Sequence, residues 1–479
     1  MITREPPTSG GTMMEDTRLG VVRGISYGLF APPVPFVAPA RALGARLVRA
    51  YLYWSQFEPE PGRYDWSTVD SLLAQLDGDT ELWLTVCSSS PWATRSATDF
   101  LPPSPALSLP VYAESIRRLA QRCAGRIRFW QCDNEPSNTG LLWAGTADEY
   151  AAQLAVFHEA VCSADPAALV VLGGCGYDAL SGGEPRKFFD RVAALSRDSF
   201  DLFDVHLYAD PYRVPEFVAT AREIMARHGY EKPIVAGEHG GPLLFEFPEL
   251  DDILAQVFAE AFTADVPPSS QSTAELAERA STETPERRAL RSLYARADKL
   301  PPRLRMLMAD APADLAAKRD RIDARQVVVR TVLALASGIR RTAYWNLAPE
   351  IAGFHDPYQM MDLLFGRLPL LDGTLSVRSP AADAFARLAE LLSDVESVRR
   401  MDDAAWVFVA ERRERGQVWI IWDRRDTFDG EDEPAVSVAL PWEGPASAVD
   451  AFGTAVPVAV ADGTARLTVT DTPVYLSRG

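Results

Sequence analysis

Two periodicities alternate along most of the chain. From about residue 20 to 350, short β-branched and aromatic runs recur between longer segments whose apolar residues stand three and four apart, the pattern of strand–helix units around a parallel sheet. Candidate strands fall at 21–29, 46–53, 81–86, 126–132, 168–172, 202–207, 233–237 and 341–346, and amphipathic helices at 111–124, 147–163 and 215–228. Eight such strands with intervening helices predict an α/β fold, a closed (β/α)8 TIM barrel.

The pattern changes twice. Between 240 and about 320 lie charged helical segments, such as 284–297, interrupted by Pro267-Pro268 and Pro301-Pro302. This insertion follows strand 7, so it emerges on the face where barrel sites are built. It reads as a lid or wall of a substrate cleft, with a contact between copies of the chain (a homo-oligomer) as the alternative. After a last helix at 381–392, short alternating strands at 406–410, 417–422, 435–440, 465–469 and 474–476 predict a C-terminal antiparallel β-sandwich-like domain. The domains are expected at 18–400 (barrel with insertion) and 401–479 (all-β). Trp406, Trp419, Trp422 and Trp442 on these strands read as core, with a sugar-binding surface as the alternative.

Composition narrows the partners. The 479 residues are 47% hydrophobic and 24% charged, enough for a large core, and the net charge of −18 disfavours nucleic acid and anionic membrane surfaces. The start, MITREPPTSGGTMMED, lacks the basic and then apolar run of a signal peptide, and no apolar stretch reaches membrane-spanning length, so a cytoplasmic location is expected. Five cysteines without paired spacing argue against a disulfide framework or a structural zinc site, and no metal or other cofactor is expected.

The chemistry sits at two strand ends. FWQCDNEPSN (129–138) closes an apolar run with Asn134-Glu135-Pro136, and PIVAGEHGG (233–241) does the same with Glu238. Cleaving a glycosidic bond requires a proton for the departing oxygen and negative charge opposite an oxocarbenium-like carbon, so two carboxylates at the barrel rim are the minimum equipment.

At these residues the chain resembles the clan of retaining barrel glycosidases whose two catalytic glutamates end strands 4 and 7. The resemblance spans roughly residues 20 to 400, and it implies Glu135 as acid/base and Glu238 as nucleophile. In RLVRAYLYWSQFEPEPGRYDW it gives Arg49 a hydrogen bond to the nucleophile; in DVHLY it places His206 near substrate and Tyr208 within reach of Glu238. In AYWNL it makes Trp345 the floor of the reacting-sugar subsite, and it assigns Asn134 to the sugar 2-hydroxyl. The strand-3 sequence TVCSSSPWA is similar to β-xylosidase and α-L-iduronidase relatives and lacks the histidine of cellulase-like ones. Trp54, Trp92 and Trp143, in rim loops, are candidates for stacking on a sugar face, and Phe354, His355 and Tyr358 for lining the cleft.

The expected function is thus retaining hydrolysis of an oligosaccharide or other glycoside. The alternatives are a transglycosidase using the same residues and a catalytically silent carbohydrate-binding barrel. Metal-dependent hydrolysis is disfavoured because the five histidines form no HxH or HxxxH, and a Schiff-base aldolase because none of the four lysines ends a predicted strand.

Overall fold

Strands β1 (Arg18–Val22), β2 (Leu47–Tyr53), β3 (Glu81–Cys87), β4 (Phe129–Cys132), β5 (Leu169–Val171), β6 (Phe203–Leu207), β7 (Ile234–His239) and β8 (Arg341–Tyr344) form one parallel sheet in the order β5-β4-β3-β2-β1-β8-β7-β6. Parallel bridges from Val171 to Leu202 and from Cys175 to Val205 join its two ends, so the barrel is closed. This is a computed structural model that describes residues 14, 16–261, 272–279, 282–349, 356–402 and 406–478; Phe354 and His355 lie outside the described residues.

Strand alternation sorts side chains into two environments. On β2, Val48, Ala50 and Leu52 face the helices, while Leu47, Arg49, Tyr51 and Tyr53 face the barrel axis. The axis is filled in layers. Leu47, Trp83, Phe129, Leu169, Val171, Leu202 and Val235 plug one end. Above them lie the polar side chains of Arg49, Thr85, Gln131 and Asp204, all fully buried, and above those the tyrosines and acids of the site.

Three of the predicted helices appear as Leu109–Cys123, Ala147–Ala164 and Val214–Ala226. The second starts at a capping box in which Thr146 accepts from the Glu149 N–H and the Glu149 carboxylate accepts from the Thr146 N–H. Among the described residues no helix is long and apolar enough to cross a membrane.

The insertion after β7 carries helices Asp251–Ala261, Thr273–Arg279 and Pro285–Tyr294 before the long helix Ala313–Ala336 leads into β8. It has its own apolar cluster, including Leu250, Leu254, Leu290, Leu293 and Met308, which Tyr358 joins by packing its ring against Tyr294 at 5.6 Å. The insertion also crosses the barrel mouth. Thr273 donates from its N–H (2.9 Å) and its hydroxyl (2.5 Å) to Asp99 in the loop after β3, and Leu276 packs on the aromatic residues above the acids.

A buried ion pair anchors the root of this insertion. Arg330 donates to Glu246 (2.6 Å) and to the carbonyls of Leu207 (2.9 Å) and Ala209 (2.6 Å), tying the helix that leads into β8 to the end of β6. Burial lifts the Glu246 carboxyl to about 7 despite the neighbouring guanidinium. Arg330→Met would remove the charged partner of that carboxylate, leaving it only Gln326 Nε2 and the Leu243 N–H, and would take a donor from each of the two carbonyls; a loss of about 3–5 kcal/mol in urea-denaturation stability is expected. Adding Glu246→Gln should restore part of it; an R330M stability equal to wild type would show that the pair is not holding the insertion.

The C-terminal region is a sandwich of two antiparallel sheets. Strands β9 (Val395–Asp402), β10 (Trp406–Arg412), β11 (Val418–Trp422), β13 (Ala446–Asp450) and β16 (Val474–Arg478) form one, ordered β13-β16-β11-β10-β9. The other is β12 (Val436–Pro441), β15 (Thr464–Val469) and β14 (Val458–Ala461), ordered β12-β15-β14. Val407, Val409, Trp419, Ile421 and Trp442 fill the space between the sheets. The alternate residues Phe408, Ala410, Ile420 and Trp422 join the barrel's outer core, where the Trp422 indole donates to the Tyr212 hydroxyl at 3.2 Å. These tryptophans are therefore core residues, as their strand positions imply.

Candidate active site

Glu238 reaches the barrel axis through an irregularity in its strand. The β6–β7 and β7–β8 registers shift beside Gly237, which lets Glu238 face inward and His239 outward onto Tyr344. A Cβ on Gly237 would sit 2.4 Å from the Asp204 carboxylate, so only glycine fits there.

Three donors converge on the Glu238 carboxylate: Arg49 Nη1 at 2.8 Å, the Tyr51 hydroxyl at 2.7 Å and the Tyr208 hydroxyl at 2.7 Å. Burial works against its charge, but the positive charges of His206 and Arg49 and the two phenolic hydrogen bonds outweigh it, holding the carboxyl below its ordinary value. Arg49 is itself fully engaged. It also donates to Thr85 Oγ1 (3.1 Å), the Gly237 carbonyl (3.0 Å), Gln131 Oε1 (2.7 Å) and Asn134 Oδ1 (2.7 Å), which fixes its plane.

Glu135 follows β4 in the left-handed region, at φ 39°, as does Asp133 at φ 54°. The turn is held by Asp133, whose carboxylate accepts from the Ser88 N–H (2.6 Å) and hydroxyl (2.8 Å); burial lifts it to about 6 against those bonds. Burial also raises the Glu135 carboxyl, and the charges of Glu238 and Asp178 add to this, against the lowering effect of His206. The two glutamates face each other: a carboxylate oxygen from each and a His206 ring nitrogen all lie within 4.8 Å of one another.

His206 stands between carboxylates. Its Nδ1 is 2.5 Å from Glu135 and 3.5 Å from Glu238, and its Nε2 is 3.2 Å from Asp204. Burial opposes its protonation, yet the acids around it lift it to about 10. Asp204 is oriented in turn by the Gly237 N–H (2.5 Å) and by Gln131 Nε2 (2.8 Å). Gly174 makes room for the ring, since a Cβ there would lie 2.1 Å from Nε2.

The structure thus brings Arg49, Asn134, Glu135, His206, Tyr208 and Glu238 into one hydrogen-bonded group. Trp345 belongs to the aromatic layer above it with Tyr51 and Tyr208; it is 5% exposed and its indole N–H has no partner among the described residues. Trp54 and Trp143 are corrected. Both are fully buried, Trp54 donating to Glu58 (2.9 Å) and Trp143 to the Thr146 carbonyl (3.2 Å), so neither offers a face to a sugar. Trp92 is half-buried with its ring edge on Trp54 and its indole donating to the Glu58 carbonyl at 3.0 Å, which ties it to the same loop.

Sequence reasoning misses Tyr51, Asp204 and Gln131. For Tyr51 a signal exists, because the alternation of LVRAYLY points it to the side of Arg49. Nothing local marks the stacked pair Tyr177 and Phe245, 5.1 Å apart; burial raises the Tyr177 phenol, and the charges of Asp178 and then Glu135 add to this.

No protein-family model and no curated protein matches the chain. Solved structures do. A family 39 glycoside hydrolase from Bacteroides cellulosilyticus WH2 is 13% identical, with a TM-score of 0.64 over 97% of this chain and 81% of that one. A monomeric β-xylosidase from Caulobacter crescentus CB15 is 13% identical with a TM-score of 0.58, covering 98% of each chain. A glucosidase from Croceicoccus marinus is 12% identical with a TM-score of 0.58, covering 98% of this chain and 97% of that one. At such identities the likeness establishes a shared fold, barrel and C-terminal sheets together.

Proposed function

We propose that this barrel hydrolyses O-glycosidic bonds with retention of anomeric configuration. The observation that carries the reading is the facing pair Glu135 and Glu238, with oxygens within 4.8 Å and carboxyls pushed in opposite directions. Direct attack suits carboxyls about 5–5.5 Å apart, whereas an inverting enzyme holds them about 6.5–9.5 Å apart to admit a water. The glycosidase neighbours share the fold and add support of that kind.

In this reading Glu238, kept ionised by Arg49, Tyr51 and Tyr208, attacks the anomeric carbon, and Glu135 delivers its proton to the departing oxygen. Asn134 accepts from Arg49 through its oxygen, which leaves its amide N–H group for the sugar 2-hydroxyl. Once the glycosyl-enzyme forms, the Glu238 charge is gone and the carboxyl of Glu135 falls. It then serves as the base that activates water. Trp345 supplies an apolar face with an uncommitted N–H beneath the sugar. Tyr177, stacked on Phe245, lies near enough to feel the Glu135 charge, and the Asp99 to Thr273 contact makes the insertion a wall of the same cleft.

Activated aryl glycosides of several sugars, followed by proton NMR from the first turnover, test this: the first-formed sugar should keep the substrate's anomeric form. An inverted product, or no turnover on any sugar, would overturn it. The pH profile should be a bell. Activity needs Glu238 ionised, so the acidic limb should fall below the ordinary glutamate value of 4.5, and it needs Glu135 protonated, so the alkaline limb should stand above it. An activity that rises steadily to high pH would contradict an acid at Glu135.

A further inference from the structure

A second group of potential ligands lies at the opposite end of the barrel. His158 and Cys162 are one turn apart near the C-terminus of helix Ala147–Ala164, and Asp201 immediately precedes the segment that enters β6. Each is half-buried, and one ligand atom from each lies within 4.8 Å of the other two. Spacing by four puts His158 and Cys162 on one helix face, as in helical metal motifs.

We propose that His158, Cys162 and Asp201 form a zinc site. Cys162 Sγ and His158 Nε2 are 3.6 Å apart. Bonds of about 2.3 Å to sulfur and about 2.0 Å to nitrogen, at tetrahedral angles, predict an edge of about 3.5 Å, so these two donors already span it. Asp201 is pre-oriented: its Oδ2 accepts from the Val170 N–H at 2.8 Å, which anchors the carboxylate as an outer hydrogen bond anchors a metal ligand. The Asp201 ligand oxygen lies within 4.8 Å of both other donors, and metal binding would draw it in the remaining distance. One thiolate, one imidazole and one carboxylate match the borderline-soft preference of Zn²⁺ rather than Mg²⁺ or Ca²⁺, and the partial exposure of all three leaves the fourth position to water.

Lys232 is the neighbouring cation. Its ammonium feels Asp201 and Asp198, so the carboxylate alone would hold a metal weakly and the thiolate carries the affinity. Zinc here would staple the helix after β4 to the connection entering β6. That end of a barrel serves stability, not catalysis, so occupancy should raise the melting temperature and leave turnover unchanged.

The test uses the full chain freed of metal with a chelator, then titrated with ZnCl₂ against a chromophoric competitor and, separately, with CoCl₂ followed by absorption. One equivalent of zinc should bind with a rise in Tm, and cobalt should show a thiolate-to-metal charge-transfer band. Cys162→Ser should abolish the band and weaken zinc by roughly 100-fold or more, beyond the effect of losing an outer hydrogen bond. His158→Gln, which spares the thiol, guards against a folding defect in the first variant and should also weaken zinc. Zinc affinity unchanged in Cys162→Ser would place the metal elsewhere, for instance on Glu135, His206 and Glu238, and would overturn the proposal. So would failure of the wild-type chain to bind.

Discussion

Glu238→Ala is expected to lower kcat on a dinitrophenyl glycoside by roughly 10⁴–10⁶-fold, the scale of losing a covalent nucleophile. The loss should be of chemistry and not of fold. Arg49 keeps acceptors in Gln131, Asn134, Thr85 and the Gly237 carbonyl, so the guanidinium is not stranded, and circular dichroism of the variant should match wild type. Azide fits the space vacated by the carboxylate and attacks the same carbon face. It should restore turnover and yield a glycosyl azide of inverted configuration. Turnover untouched by the substitution would remove Glu238 from the reaction.

Glu135→Gln should act according to the leaving group. General acid assistance is worth roughly 10²–10⁴-fold, and it matters most where the departing alkoxide is poor. An alkyl glycoside should therefore lose that much, while the first step on a dinitrophenyl glycoside, whose phenolate needs no proton, should hardly change. With that substrate the glycosyl-enzyme should accumulate as a burst, because the amide that replaces the carboxylate cannot activate water for the second step. The alkaline limb of the pH profile should also disappear, since an amide does not titrate. A loss of equal size for both leaving groups would argue for a positioning role instead.

The reach of local pattern shows in particular elements. It predicts all eight barrel strands, most within two residues of their ends, because a strand buried on both sides leaves a dense β-branched and aromatic run. The first is displaced, at 21–29 against Arg18–Val22, since Ile25 to Leu29 continue the apolar texture into a rim loop. Strands β9, β13 and β14 escape it. VESVRRMD is heavily charged along an edge of its sheet, and ASAVD and VAVA are only five and four residues long, too short for their valines to stand out from the flanking residues. The rim tryptophans mislead for a related reason: a tryptophan in a loop looks alike in sequence whether it faces a ligand or plugs a gap, and only the packing of Trp54 against Tyr112 and of Trp143 against Tyr150 distinguishes the two.

By itself the sequence determined the strand and helix order, the closed barrel those elements imply, and the two glutamates that end strands 4 and 7. Periodicity is a local property, and a carboxylate ending an apolar strand is visible within about ten residues. Only the tertiary structure decided that those glutamates face each other within 4.8 Å, that Tyr51 shares the Glu238 carboxylate with Arg49 and Tyr208, and that His206 bridges Glu135 to Asp204. Those distances depend on barrel closure and on the register shift beside Gly237, which set side chains from distant strands at one height along the axis. The charges that pull the two carboxyls apart are summed over that shared height, so no single strand contains them.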